Sequence, residues 1–183
     1  MGSISPWHWL IVLLAVGVPL GLVYVTYRTG KKKGSYSATG GPVGFGGWLI
    51  LIVIGQTLAP LRTLSNLNKN LDDYESVKLV SGGPLAVYGE VAITLAFFVL
   101  QVVVAVSMYN RSRKFPRLFF FQWIALPLTF VLDILLIVTI FHLPVSQAVS
   151  PQEVGQTLGA FAVTGLWVWY LHASTRVRNT FVK

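Results

Sequence analysis

Apolar residues in this chain run in long uninterrupted stretches, not at the 2.0 or 3.6 spacing of a half-buried strand or helix. Windows of roughly 20 such residues are long enough to cross bilayer hydrocarbon as a helix. They fall near 7–28, 45–64, 85–109, 118–142 and 156–174. The pattern predicts an all-α integral membrane protein with about five transmembrane helices. Between the first two windows, GKKKGSYSATGGP reads as a flexible basic and Gly/Ser-rich linker. The expected organisation is an N-terminal membrane anchor helix in residues 1–30, a linker in 31–43 and a four-helix membrane domain in 44–183.

Lysine and arginine positions then set an orientation. Arg28, Lys31, Lys32 and Lys33 follow the first window, Arg111, Arg113, Lys114 and Arg117 join the third to the fourth, and Arg176, Arg178 and Lys183 close the chain. These groups hold all but three of the 14 basic residues. The remaining three, Arg62, Lys69 and Lys78, share their loop with Asp72, Asp73 and Glu75. The distribution predicts the N-terminus outside and the C-terminus cytoplasmic, in the bacterial cytoplasmic (inner) membrane. The first window has no positive n-region and no small-residue cleavage site, so it reads as a retained anchor.

Composition narrows the chemistry. Only 11% of residues are charged while 54% are hydrophobic, too little polar surface to solvate a water-soluble domain. Without cysteine there is no disulfide, thiol nucleophile or cysteine-held metal. The net charge of +8 does not form an aromatic-interleaved patch of the kind that binds nucleic acid. Its clusters sit at the ends of apolar runs, where the expected partners are membrane lipids, including anionic headgroups.

Local signals punctuate the windows. Ser150-Pro151-Gln152-Glu153 reads as a capped helix start, Pro144 as the end of the fourth helix, and Pro60 and Pro127 as kinks inside the second and fourth. Leu64, Leu67, Leu71, Tyr74, Val77 and Val80 recur at helical spacing, as in a short amphipathic helix lying on the outer surface.

Two carboxylates fall inside predicted spans, and an ionisable group at that depth is a functional hypothesis by default. Glu90, Thr94 and Gln101 share one face of the third helix, and Gln122, Thr129 and Asp133 one face of the fourth. Antiparallel packing would join them into a polar seam, with Glu90 outermost, Asp133 slightly outward of the midplane and Gln122 nearest the cytoplasm. The seam serves either as interhelical glue or as a proton or ion relay. Arg62 is a candidate ion-pair partner for Glu90. Gly17 and Gly21, and Gly155 and Gly159, are spaced for close helix packing, within the chain or against another subunit. His8, His142 and His172 are isolated near span ends, with no second histidine at metal-binding spacing. No catalytic, cofactor-binding or metal constellation is expected.

Two resemblances add to this reading. SPWHWLIVLLAVGV resembles the N-terminal membrane segment of TatA-type twin-arginine translocase subunits over about 15 residues, after which YRTGKKKGSYSATGG replaces their hinge and amphipathic helix. From residue 44 onward, GFGGWLILIVIGQTLAPLR, KFPRLF and the ending WVWYLHASTRVRNTFVK resemble the YdgK-like group of small bacterial inner-membrane proteins, a family defined by a domain of unknown function. That resemblance implies a four-helix membrane domain and assigns no reaction or ligand. The functional expectation is a non-enzymatic accessory, assembly or stabilising subunit, partnered by another membrane protein or by copies of itself. The alternative is a small transporter or ion-conducting protein using the Glu90/Asp133 seam.

Overall fold

The computed structural model describes residues 43–183, and all the regular structure among them is helical. Seven helices follow in order: α1 (Leu49–Lys69), α2 (Leu71–Val77), α3 (Gly83–Tyr109), α4 (Phe115–Phe141), α5 (Val145–Ala148), α6 (Pro151–Ala173) and α7 (Thr175–Thr180). Three of them, α1, α3 and α4, are long and apolar enough to cross a membrane. The protein is therefore read as a helical membrane protein. The first predicted span, the linker up to residue 42, and Gly17 and Gly21 lie outside the described residues.

Local chemistry explains the helix ends. Pro84 and Pro116 occupy first-turn positions of α3 and α4, where a missing N–H costs nothing. α4 stops at His142, which takes the left-handed conformation with φ 52°, and Pro144 follows to prevent continuation. The predicted start of α6 is a full capping box: the Ser150 hydroxyl accepts from the Glu153 N–H, and the Glu153 carboxylate accepts from the Ser150 N–H at 2.7 Å.

In space α1 packs on α3, α3 on α4, and α4 on α6. The larger core draws Leu49 and Ile52 of α1, Val104 and Met108 of α3, Phe115 and Phe119 of α4, Val168 and Leu171 of α6, and Val177 and Phe181 of the tail into one cluster. Phe115 stacks on Phe181 with centroids 4.5 Å apart. Two basic groups meet at this end. The Arg113 N–H donates to the Lys183 carbonyl at 2.7 Å, the Lys183 N–H to the Arg111 carbonyl at 3.2 Å, and the Arg113 side chain to the Val182 carbonyl at 2.9 Å. The chain enters beside them, the Gly44 N–H donating to the Thr180 hydroxyl at 2.9 Å.

The stretch from Leu64 to Val80 departs from the surface helix expected of it. α1 continues to Lys69, and α2 then folds back so that Leu67 and Tyr74 form a second core with Val87 of α3. The apolar spacing faced a neighbouring helix, not a lipid surface. The turn that allows this is very tight: a Cβ at Gly83 would lie 1.8 Å from the Val77 carbonyl oxygen, so glycine is obligatory there.

α6 has the length of a span but less apolar character, and its packing shows why. Gln156, Thr157, Ala160, Thr164 and Trp167 lie along one face, which lines a cleft between the helices. The opposite face carries exposed Leu158, Leu166 and Trp169. Trp123 of α4 anchors the helix, stacking on Phe161 at 4.3 Å and donating its indole N–H to the Phe161 carbonyl at 2.8 Å. Gly165 lets the indole approach, since a Cβ there would meet it at 3.3 Å.

Candidate functional site

Polar side chains inside the bundle gather at two levels. The first is made of amides. Gln56 is seven residues into α1, Gln101 eight before the end of α3 and Gln122 seven into α4, each about 10–12 Å along its helix from the basic end. Gln56 is only 3% exposed, and its side chain is fully engaged. Its Nε2 donates to the Gln101 carbonyl at 3.1 Å and to Gln122 Oε1 at 2.9 Å, while its Oε1 accepts from Gln122 Nε2 at 3.2 Å. The Thr63 hydroxyl donates to Gln101 Oε1 at 2.9 Å. These residues floor a cleft of about 610 Å³ that reaches Arg62 and Asn66 on α1 and Gln156, Thr157 and Thr164 on α6.

Carboxylates make the second level. Glu90 is seven residues into α3 and Asp133 eight before the end of α4, so both lie about 10–12 Å from the opposite end. They line one cavity of about 290 Å³ with Thr94, Thr129, Asn66, Asn70 and Tyr74. The Tyr74 hydroxyl donates to Glu90 Oε1 at 2.6 Å. Tyr74 sits in α2, outside the long apolar helices; burial, and then this bond to Glu90, push its phenol well above the ordinary tyrosine range. Asp133 has no such help. Its Oδ1 is buried with no hydrogen-bond partner, and the nearby Thr129 hydroxyl is turned to the Leu126 carbonyl of its own helix.

The two spaces adjoin, since Thr63, Asn66, Phe97 and Phe130 line both. Together they form one groove between the helices, lined by polar and apolar side chains alike. All six seam residues lie on it: Glu90, Thr94, Thr129 and Asp133 at the smaller cavity, Gln101 and Gln122 at the cleft. Asp133 stands at the level of Glu90, nearer the end of the bundle opposite the basic clusters than the sequence implied. Arg62 does not pair with Glu90; among the described residues Glu90 is bonded by Tyr74, and Arg62 faces the cleft. The fold-back of α2 brings the phenol in first.

Gly155 and Gly159 meet no other described part of the chain, for a Cβ at either would have nothing within 4 Å among the described residues. Of the two expectations, packing within the chain or against another subunit, packing against the described helices is not what the structure has: on α6 they face away from them. Among the described residues no group of three or more His, Asp or Glu side chains could hold a metal ion. Sequence reasoning missed the share of α1 in the groove. Gln56, Thr63, Asn66 and Asn70 fall at intervals of seven, three and four on one helical face, a signal as legible as that of the seam.

No curated protein and no solved structure matches the chain. One family does, covering residues 42–182, nearly the whole described bundle and every groove residue named above. The chain thus belongs to the family described as Protein of unknown function (DUF2569).

Proposed function

We propose that this is a non-enzymatic multi-pass protein of the bacterial inner membrane that carries protons or a small polar solute along the groove. Five spans with the basic ends cytoplasmic complete the reading. The observation that supports it best is that Asp133, with one buried and unpartnered oxygen, lines the same cavity as Glu90, next to the amide cleft. A carboxylate in a membrane interior is costly unless it is paired or used. Here one of the two is satisfied and the other is poised to take a proton.

Purified protein in proteoliposomes with an internal pH dye tests this. The wild type is expected to dissipate an imposed pH gradient, and D133N and E90Q to slow that flux at least about ten-fold. Equal flux through protein-free, wild-type and variant vesicles would remove the reading.

A specific observation supports a second reading, an accessory or assembly subunit. The face of α6 turned away from the other described helices carries Gly155 and Gly159 between exposed apolar residues, with none of the described residues against them, a surface another membrane helix can approach closely. Mild detergent extraction followed by mass spectrometry tests it. A stoichiometric membrane partner lost in G155L/G159L is the expected outcome, and recovery of the protein alone counts against it.

A further inference from the structure

The larger cleft differs from its neighbour in sign, and the difference specifies an occupant. We infer that it binds a small oxyanion flanked by hydroxyl groups. A soluble hydroxycarboxylate and the glycerol-phosphate headgroup of a lipid are the two sources of that chemistry. The inference rests on the reading of the groove as a passage and names what shares it with the proton.

Charge comes first. Arg62 is the one charged residue among those lining the cleft, and neither Asp nor Glu is present. A guanidinium stays protonated in any protein environment. No carboxylate pairs with it among the described residues, and its planar fork matches a carboxylate or phosphate.

Hydrogen-bonding capacity agrees. Both Gln56 amide hydrogens are committed, and the Gln56, Gln101 and Gln122 side-chain oxygens each already accept one bond. The N–H groups the floor still offers are those of the Gln101 amide nitrogen, without an acceptor among the described residues, and the second N–H of Gln122. Donors beside a permanent cation recognise an oxyanion.

Two prolines supply the complementary acceptors. Pro60 and Pro127 lack an N–H, so the carbonyls of Gln56 and Trp123, four residues earlier, lose their helical donors. Gln56 and Trp123 both line the cleft. A hydroxyl next to the oxyanion would satisfy them. At about 610 Å³ the cleft falls within the roughly 300–1,000 Å³ range of small-molecule sites. Glu90 and Asp133 repel an anion from the adjoining cavity and leave it to a proton, so the groove holds two co-substrates of opposite sign.

Trp123 and Trp167 line the cleft, so tryptophan fluorescence of the full chain in nanodiscs of zwitterionic lipid reads occupancy. The expected result is a saturable change with lactate or glycerol phosphate and none with choline, weakened at least about ten-fold in R62Q and partly restored in R62K. If soluble anions are silent but phosphatidylglycerol doped into the discs gives an Arg62-dependent change, the headgroup is the occupant and the site stands. No Arg62-dependent response to either source, in an R62Q protein whose melting temperature matches the wild type, overturns the inference. In D133N anion binding should survive while proton flux falls, because Asp133 does not line the cleft. Anion binding by a wild-type protein that moves no protons sinks the passage alone, while wild-type proton flux without anion binding sinks this inference alone.

Discussion

Two polar levels cross the same pair of helices, about 16 Å apart along each, because Glu90 and Gln101, like Asp133 and Gln122, are separated by three helical turns. They resolve the same difficulty in opposite ways. At the amide level each of the three glutamines bonds to another helix, and α1, α3 and α4 are tied together. At the carboxylate level one acid leans on a tyrosine from a short helix outside the bundle, and the other keeps an oxygen unpartnered. Polar residues inside a membrane protein therefore need not share a role. The amide level ties three helices together and keeps N–H groups of Gln101 and Gln122 to spare, whereas the carboxylate level leaves an acceptor without any donor.

The largest effect should come from removing the support of the carboxylate level. Gly83→Ala places a methyl on the Val77 carbonyl and must displace α2; a loss of about 3 kcal/mol or more in unfolding free energy is expected, read by circular dichroism in detergent. Next comes the amide level itself. Gln56→Leu strands its partners on α3 and α4, and a loss of about 1–3 kcal/mol is expected in the same assay. Asp133→Asn gives the contrast. With no bond to Oδ1 to lose, it should leave thermal stability equal or raised while proton flux falls. If Asp133→Asn costs as much stability as Gln56→Leu, the distinction between the levels is broken.

Smaller still is Tyr74→Phe, which removes one hydroxyl donor from Glu90 and should cost about 1 kcal/mol. The same variant sharpens a pH prediction. A phenol whose folded pKa is raised stabilises the fold fully below the ordinary tyrosine range, and that contribution is lost as pH climbs toward the raised value. Ultraviolet difference titration of wild type against the variant should therefore show the Tyr74 phenol ionising above the ordinary tyrosine range, at a pH where the wild type begins to unfold and the variant shows no added loss.

Much of this arrangement is written in the sequence, for identifiable reasons. Backbone groups in hydrocarbon must bond internally, so apolar runs near 20 residues announce helices, and an 11-residue spacing places side chains on one face whatever surrounds them. The Ser150 capping box is equally local. What escaped reading depends on how helices meet. α2 folds over Glu90 because Gly83 admits the Val77 carbonyl, a contact between positions with no mutual pattern, and so Tyr74 rather than Arg62 reaches the acid. α6 blurred the hydropathy signal because one of its faces is turned to the cleft.

The bond from Gly44 to Thr180 bridges 136 positions of sequence and sets the start of the bundle against its tail. Neighbouring ends of this kind permit circular permutation. A short splice between them, with new termini opened at exposed Ser146 or Gln147, would reorder the described bundle while leaving each of its helices beside its present neighbours. The groove is then a property of who stands next to whom, not of the order in which the segments are made.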